Sequence, residues 1–73
     1  MFTERTFTLL LRKYGLEHDI DRLWKAGVRN PQIIGDMEEE DLIDYRLKGT
    51  WAQYCKMYKQ ETGEDHKHTR KAT

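Results

Sequence analysis

The chain has 73 residues, and its thirteen Lys and Arg residues balance thirteen Asp and Glu residues, so its formal charge is zero. A chain of this length forms one domain and buries only about 60% of the surface that its extended form exposes. A single cysteine, Cys55, excludes an intramolecular disulfide and favours a reducing compartment, so we expect a cytoplasmic or nuclear protein. No apolar run is long enough to span a bilayer and no signal-peptide h-region is present, so we expect no membrane partner.

Apolar residues at helical spacing predict two helices in the first part of the chain. Thr3 and Glu4 are suitable starting residues for the first helix, and Gly15 is placed to end it as a C′ glycine. Gly27 closes the second helix in the same way. The stripe of the first helix is Phe7, Leu10, Leu11 and Tyr14, and that of the second is Ile20, Leu23 and Trp24.

Three further helices are predicted in the second part of the chain. Asn30-Pro31 is an N-cap followed by proline at the first helical position, and it opens a short third helix that Gly35 ends. A fourth helix is expected to start near Asp36, where acidic residues favour the positive end of the helix dipole. Lys48-Gly49-Thr50 is the last break. The inward residues of the fourth helix are Leu42, Tyr45 and Leu47, and the stripe of the fifth is Trp51, Tyr54, Cys55 and Tyr58.

These elements predict an all-α protein. No segment alternates with a period of two for more than a few residues, so no strand is expected. Five helices with short connections form a compact bundle around one core, and the last helix is the longest and extends to Glu61 or Thr62. The sequence therefore predicts a helical domain over residues 1–62. Residues 63–73 contain no apolar residue larger than alanine and are expected to be a disordered polar tail.

Short motifs follow one another in a characteristic order. The first part carries an aromatic opening, an apolar pair and a Gly-Leu turn, at Phe2, Phe7, Leu10, Leu11 and the stretch Tyr14-Gly15-Leu16-Glu17. The later motifs are Ala26-Gly27-Val28, the acidic helix entry Met37-Glu38-Glu39-Glu40-Asp41-Leu42, and Leu47-Lys48-Gly49. In these features the chain from Phe2 to about Tyr58 resembles the sterile alpha motif (SAM) family. The resemblance implies a SAM-like five-helix bundle.

Three positions depart from the pattern of that family. Asp19 stands where the family usually has a tyrosine that packs inward. Arg46 occupies the position of a usual glycine before the turn between helices 4 and 5, and that turn is short. Trp51 replaces a basic residue that is common after the glycine of helix 5.

Charge is distributed unevenly along the second half of the chain. Residues 36–44 contain no basic residue, whereas the segment from Arg46 onward is basic. The acidic residues have two interpretations, which are compensation of the helix 4 dipole and an electrostatic docking surface. We call them the acidic face, which consists of Asp36, Glu38, Glu39, Glu40, Asp41 and Asp44.

The resemblance implies a partner for that surface. In the SAM family the mid-loop face, which corresponds to the acidic face, commonly meets the start of helix 5 on another copy. Free N–H groups at that helix start would attract carboxylates. We call the corresponding surface the basic face, which consists of Arg46, Leu47, Lys48, Gly49, Thr50, Trp51 and Lys56. The implied function is an adaptor, scaffold or signalling module that associates with itself or with another SAM-like domain, as a pair, a ring or a filament.

Binding of nucleic acid is the alternative function. Some SAM domains bind RNA hairpins through a basic surface around helix 5, and a helix-turn-helix interpretation of the last two helices leads to the same class. Zero net charge and the acidic neighbour weigh against it, because both oppose phosphate binding. The residues that would serve this function are Arg46, Lys48, Lys56 and Lys59.

No catalytic constellation is found in the sequence, and we expect a protein that is not an enzyme. A nucleophile needs a base and a group that orients the base. Cys55 shares a stripe with Trp51 and Tyr58 and is expected to be buried, and His18 is expected to be solvated. His66 and His68, with Asp65, lie on the predicted tail and do not form a preorganised metal site. We expect no metal, cofactor or small-molecule substrate.

Overall fold

The computed structural model describes residues 3–67. Phe2, the aromatic residue that opens the SAM resemblance, and His68, a candidate metal ligand, lie outside the described part. The chain between these limits folds into five α-helices with short connections, and no strand occurs among the described residues. The predicted all-α class is therefore confirmed. The helices are α1 (Glu4–Lys13), α2 (Ile20–Lys25), α3 (Pro31–Ile34), α4 (Asp41–Asp44) and α5 (Trp51–Thr62), and a 3₁₀ turn (Glu17–Asp19) precedes α2.

Local sequence signals set both ends of α1. The Thr3 hydroxyl accepts a hydrogen bond from the backbone N–H of Thr6 at 3.1 Å, which satisfies one of the free donors of the first turn. At the other end Gly15 has a φ of 74°. Its N–H donates to the carbonyl of Arg12, and the N–H of Leu16 donates to the carbonyl of Leu11. This pattern is the Schellman motif, and it confirms that Gly15 ends the helix.

The middle helices are short, and α4 differs from its prediction. The Asn30 side chain caps α3 by accepting from the N–H of Ile33 at 3.1 Å, with proline at the first helical position, as expected. The predicted start of α4 near Asp36 is wrong, because the helix begins at Asp41. The N–H groups of Asp36 and Met37 donate to the carbonyls of Ile33 and Ile34 and continue the turn that ends α3. The Asp41 carboxylate accepts from the N–H of Glu38 at 2.9 Å, and this bond caps the turn that leads into α4.

One hydrophobic core joins all five helices. Phe7 and Leu11 on α1, Leu23 on α2 and Ile34 on α3 are fully buried. Partly buried Leu42, on α4, packs against them. The rest of the core consists of Leu16, Val28, Met37, Trp51, Tyr54, Cys55 and Met57. The burial of Cys55 was predicted from its stripe and is confirmed.

The folded unit continues beyond residue 62, where the sequence analysis placed its end. Gly63 ends α5 in the left-handed conformation and turns the chain back, which brings His66 onto the core with 3% of its surface exposed. The imidazole Nε2 donates to the carbonyl of Ile34 at 2.7 Å. The ring meets those of Trp51 and Tyr58 edge to face, with centroids 4.9 and 5.2 Å apart. Residues 63–67 are therefore part of the domain, contrary to the prediction that the tail begins at residue 63, and residues 68–73 of the predicted tail lie outside the described part.

We expect the substitution His66→Ala to lower the free energy of unfolding by about 1–3 kcal/mol, because it removes a buried hydrogen bond and two aromatic contacts. Urea denaturation followed by circular dichroism measures the change. Lys67→Ala is the matched control, because Lys67 is exposed and follows His66 directly. Equal midpoints for the two variants would show that residues 63–67 add nothing to stability.

A second link connects the end of α1 to α5. The Tyr14 hydroxyl donates to Glu61 Oε2 at 2.6 Å, and Lys13 Nζ lies 3.7 Å from the same oxygen. The Gln53 side chain also donates to the carbonyl of Tyr14 at 3.2 Å. Burial, the hydrogen bond to Glu61 and the charge of Glu61 raise the pKa of Tyr14 to about 12. The folded state therefore holds the phenol proton more tightly than the unfolded chain does.

This raised pKa makes stability depend on alkaline pH. The contribution of Tyr14 to the free energy of unfolding is complete below about pH 10, the pKa of the phenol in the unfolded chain, and it is lost as the pH rises toward 12. We expect Tyr14→Phe to lose less stability than wild type between about pH 9 and pH 11.5. Urea midpoints measured across this range test the difference. Tyr45→Phe is the control, since the Tyr45 hydroxyl makes no hydrogen bond within residues 3–67, and a similar change in that variant would refute the assignment to Tyr14.

Candidate functional site

The acidic face covers the turn after α3 and all of α4. Its members are exposed except for Asp41, which is half-buried and accepts the bond from Glu38 described above. The carboxylates of Asp36, Glu40 and Asp44 make no ion pair within residues 3–67. Dipole compensation does not require so many exposed charges on a helix of four residues.

Ile43 is a residue of this surface that the sequence analysis missed. Ile43 lies on α4, and its side chain is 80% exposed. Leu9 is the other large hydrophobic residue that is exposed within the described range. The sequence indicates the exposure of Ile43 only indirectly, by its place outside the inward stripe of α4. Leu42, Tyr45 and Leu47 were assigned to the inward stripe, and Ile43 was the apolar residue left over.

The basic face lies around the start of α5. The side chains of Arg46, Lys48 and Lys56 are exposed and make no ion pair within the described residues. Arg46 adopts a left-handed conformation with a φ of 57°, at the position where the resemblance implies glycine. Thr50 is exposed, whereas Leu47 and Gly49 are half-buried. The expected contribution of Trp51 to this surface is small, because Trp51 belongs to the core and is only 7% exposed.

The buried carboxylate of Asp19 accepts hydrogen bonds from the backbone just before α5. Asp19 is 1% exposed. Its two oxygens accept from the N–H of Lys48 at 2.7 Å, from the N–H of Gly49 at 2.8 Å and from the hydroxyl of Tyr54 at 2.7 Å. Burial and this last bond raise the pKa of Tyr54, so the phenol remains a donor at neutral pH. The sequence analysis marked Asp19 only as a departure from the family pattern and did not predict this role.

These contacts narrow the expectation that free N–H groups at the start of α5 attract a partner, because four of these groups are bonded within the protein. Lys48 and Gly49 donate to Asp19, and the N–H of Thr50 donates to the Gln53 side chain at 2.8 Å. The Thr50 hydroxyl in turn accepts from the N–H of Gln53, which completes a capping box. Most of the backbone donors expected to attract an acidic partner are therefore occupied, and the charged side chains of the basic face remain.

Gly49 allows this arrangement because it has no side chain. A Cβ atom at Gly49 would overlap Leu16 Cδ2 and would lie 3.0 Å from Tyr54 Cε2 and 3.1 Å from Asp19 Oδ2. Leu16 and Tyr54 are fully buried and have little room to move. The glycine therefore lets the backbone after Lys48 approach the Asp19 carboxylate.

The acidic and basic faces meet at one surface groove of about 560 Å³. Glu39 from the acidic face and Thr50, Trp51 and Lys56 from the basic face line it together. Ala52 and Cys55 add apolar surface. At its remaining edge Lys59 Nζ lies 2.8 Å from Asp65 Oδ1. The two faces predicted from the charge pattern therefore share an edge at this groove.

Between residues 3 and 67, the other candidate residues are not gathered into a reactive site. His18 is exposed and lies 3.8 Å from a Glu17 oxygen. Of the predicted weak metal ligands, Asp65 pairs with Lys59 and His66 binds the carbonyl of Ile34. Within residues 3–67 no three His, Cys, Asp or Glu side chains are placed to hold a metal ion. The helices of the described range are all too short or too polar to cross a bilayer.

Neither protein-family models, nor curated proteins, nor solved structures provide a match to this chain. The fold and the surface thus define its class, which is a small helical domain with an acidic and a basic face that meet at one groove.

Proposed function

We propose that the chain is a SAM-like protein–protein interaction module rather than an enzyme. Its acidic face binds the basic face of another copy, or of a related helical domain. The observation that carries the proposal is that several exposed charges of opposite sign, on adjoining surfaces, make no ion pair within residues 3–67. Asp36, Glu40 and Asp44 on one face, and Arg46 and Lys48 on the other, make no ion pair within residues 3–67. Such charges steer association and fix its register.

The hydrogen bonds that Asp19 accepts near the start of α5 favour a contact made by exposed charged side chains. Asp19 already binds the backbone N–H groups of Lys48 and Gly49, so a partner carboxylate beside them meets the side chains of Lys48 and Arg46 at the surface. Contacts between exposed side chains are screened by salt. We therefore expect an association of modest affinity that weakens as ionic strength rises.

Nucleic acid is the less favoured partner. Lys56 shares its groove with Glu39 and Asp65, and these carboxylates would repel a phosphate backbone at short range. Titration of the protein with a short RNA or DNA hairpin at moderate salt tests this alternative. Chemical-shift changes confined to Arg46, Lys48, Lys56 and Lys59 would favour nucleic acid over a protein partner.

The proposal predicts that charge reversal on either face weakens self-association. We expect Glu39→Arg and Lys48→Glu each to raise the dissociation constant by about tenfold or more, because like charges then oppose each other across the contact. Light scattering across protein concentration, at about 50 and 500 mM salt, measures the mass of each variant. An equimolar mixture of the two variants retains one intact face from each and should associate more strongly than either alone.

The controls are charge reversals of the same kind on α2. Asp21→Arg and Lys25→Glu change exposed residues that belong to neither face, and they should associate as wild type does. The proposal of self-association is refuted if wild type stays monomeric at every concentration and salt. It is also refuted if the control variants lose association to the same extent as Glu39→Arg and Lys48→Glu.

A further inference from the structure

The groove between the two faces carries both signs of charge on one patch. Glu39 and Asp65 supply carboxylates, and Lys56 and Lys59 supply ammonium groups. Lys59 and Asp65 pair with each other at 2.8 Å, so Lys56 is the groove cation that makes no ion pair within residues 3–67. A patch that contains both halves of a charge pair can bind an identical patch turned by 180°.

An exposed apolar residue lies one helical turn from a residue that lines this groove. The turns that lead into α4 are continuous, because the N–H of Leu42 donates to the carbonyl of Glu39 and the N–H of Asp44 to that of Glu40. Ile43 follows Glu39, which lines the groove, by one helical turn, so the two residues are near neighbours. The 80% exposure of Ile43 leaves its side chain available as a projecting apolar group.

The groove provides a matching surface for such a group. Its apolar part is the edge of Trp51 together with Ala52 and Cys55, all from the first half of α5. Lys56 follows Cys55 directly, and Ile43 has the exposed carboxylates of Glu40 three residues before it and Asp44 one residue after it. The exposed Ile43 side chain with its acidic neighbours is therefore complementary to the apolar surface of Ala52 and Cys55 with its basic neighbour, Lys56.

We propose that this groove is the contact surface of a closed two-fold dimer, with a second copy of this chain as its occupant. Ile43 of each copy packs on the Ala52 and Cys55 surface of the other, and the acidic residues around Ile43 face Lys56 of the other copy. This inference rests on the proposed self-association and specifies its geometry. Because both faces take part in one isologous contact, association stops at two copies instead of forming a filament.

Sedimentation equilibrium across about 10 μM to 1 mM protein tests the geometry. Wild type is expected to level off at twice the monomer mass. Ile43→Arg removes the apolar projection, and Ala52→Trp fills the floor from an exposed helical position, so each should raise the dissociation constant at least tenfold. Leu9→Arg is the matched control, because Leu9 is 55% exposed on α1, away from the groove. It should dimerise as wild type does.

The outcomes separate this inference from the proposed function. A wild-type mass that rises past two copies, or an Ile43→Arg variant that dimerises as well as Leu9→Arg, overturns the closed dimer. If Glu39→Arg and Lys48→Glu still weaken association in that case, the proposed function stands. A wild type that is monomeric throughout overturns both. Ile43→Arg is not expected to unfold the protein, since Ile43 is almost fully exposed, and circular dichroism checks this.

Discussion

Replacing Asp19 by alanine is expected to lower the free energy of unfolding by at least about 3 kcal/mol. Hydrogen bonds to charged groups contribute about 1.5–3 kcal/mol each, and a buried donor left without its acceptor adds a desolvation cost. Asp19→Ala removes the acceptor of three donors at once, from Lys48, Gly49 and Tyr54. A domain of 73 residues is stable by only about 4–11 kcal/mol in total, so the variant should be close to unfolding.

Asp21→Ala is the matched control for this prediction. Asp21 is exposed in the first turn of α2, two residues from Asp19, and its loss should change stability by less than about 0.5 kcal/mol. Asp19→Asn keeps the shape and one acceptor oxygen, and it should lie between the two alanine variants. Urea denaturation gives all three values. Equal stability of Asp19→Ala and Asp21→Ala would contradict the role assigned to the buried carboxylate.

The substitution Gly49→Ala is expected to destabilise the protein by about 3 kcal/mol, although it adds only one methyl group. The methyl overlaps Leu16 and comes within 3.1 Å of an Asp19 oxygen. Relief of the overlap requires movement of the backbone that donates to Asp19, so packing and hydrogen bonding are disturbed together. The thermal midpoint and the urea midpoint of the variant should both fall.

The variant Gly27→Ala separates the steric overlap at Gly49 from the cost of placing a side chain on a residue with positive φ. Gly27 has a φ of 88°, and a Cβ there would meet no atom within 4 Å. Its substitution should therefore cost about 1–2 kcal/mol, which is the cost of placing alanine in the left-handed region. If Gly27→Ala proved more destabilising than Gly49→Ala, the close approach of Gly49 to the core would not be the dominant effect.

Helix positions could largely be predicted from the sequence because their signals are local. Apolar residues at helical spacing marked α1, α2 and α5, and Asn30-Pro31 marked the start of α3. The prediction places the start of α4 too early because the N–H groups of Asp36 and Met37 donate to the carbonyls of Ile33 and Ile34 and continue the end of α3. Acidic residues are favoured in the first turn of a helix, but they do not determine the residue at which it begins.

The buried polar residues could not be predicted, because their partners lie far along the chain. Asp19 binds the backbone 29 and 30 residues away, and His66 binds a carbonyl 32 residues away. Asp19 lies next to His18 in a polar stretch, and His66 lies in a segment without large apolar residues. Composition alone assigns both to the surface, whereas the fold gives them buried hydrogen-bond partners.

The candidate surface was predicted in part. Runs of like charge are visible in the sequence, so the members of both faces could be named before the fold was known. Their shared groove depends on how α4 and α5 pack, and no local pattern encodes it. The same reason explains why Trp51 was counted as a surface residue and Ile43 was overlooked.

The dependence of wild-type amide chemical shifts on protein concentration tests the central claim most directly. At low salt, dilution should shift the signals of the acidic face, the basic face and Ile43, while those of α2 stay constant. The same spectra at about 500 mM salt should depend much less on concentration. Spectra that are independent of concentration at low salt, or changes confined to α1 and α2, would contradict association through these faces.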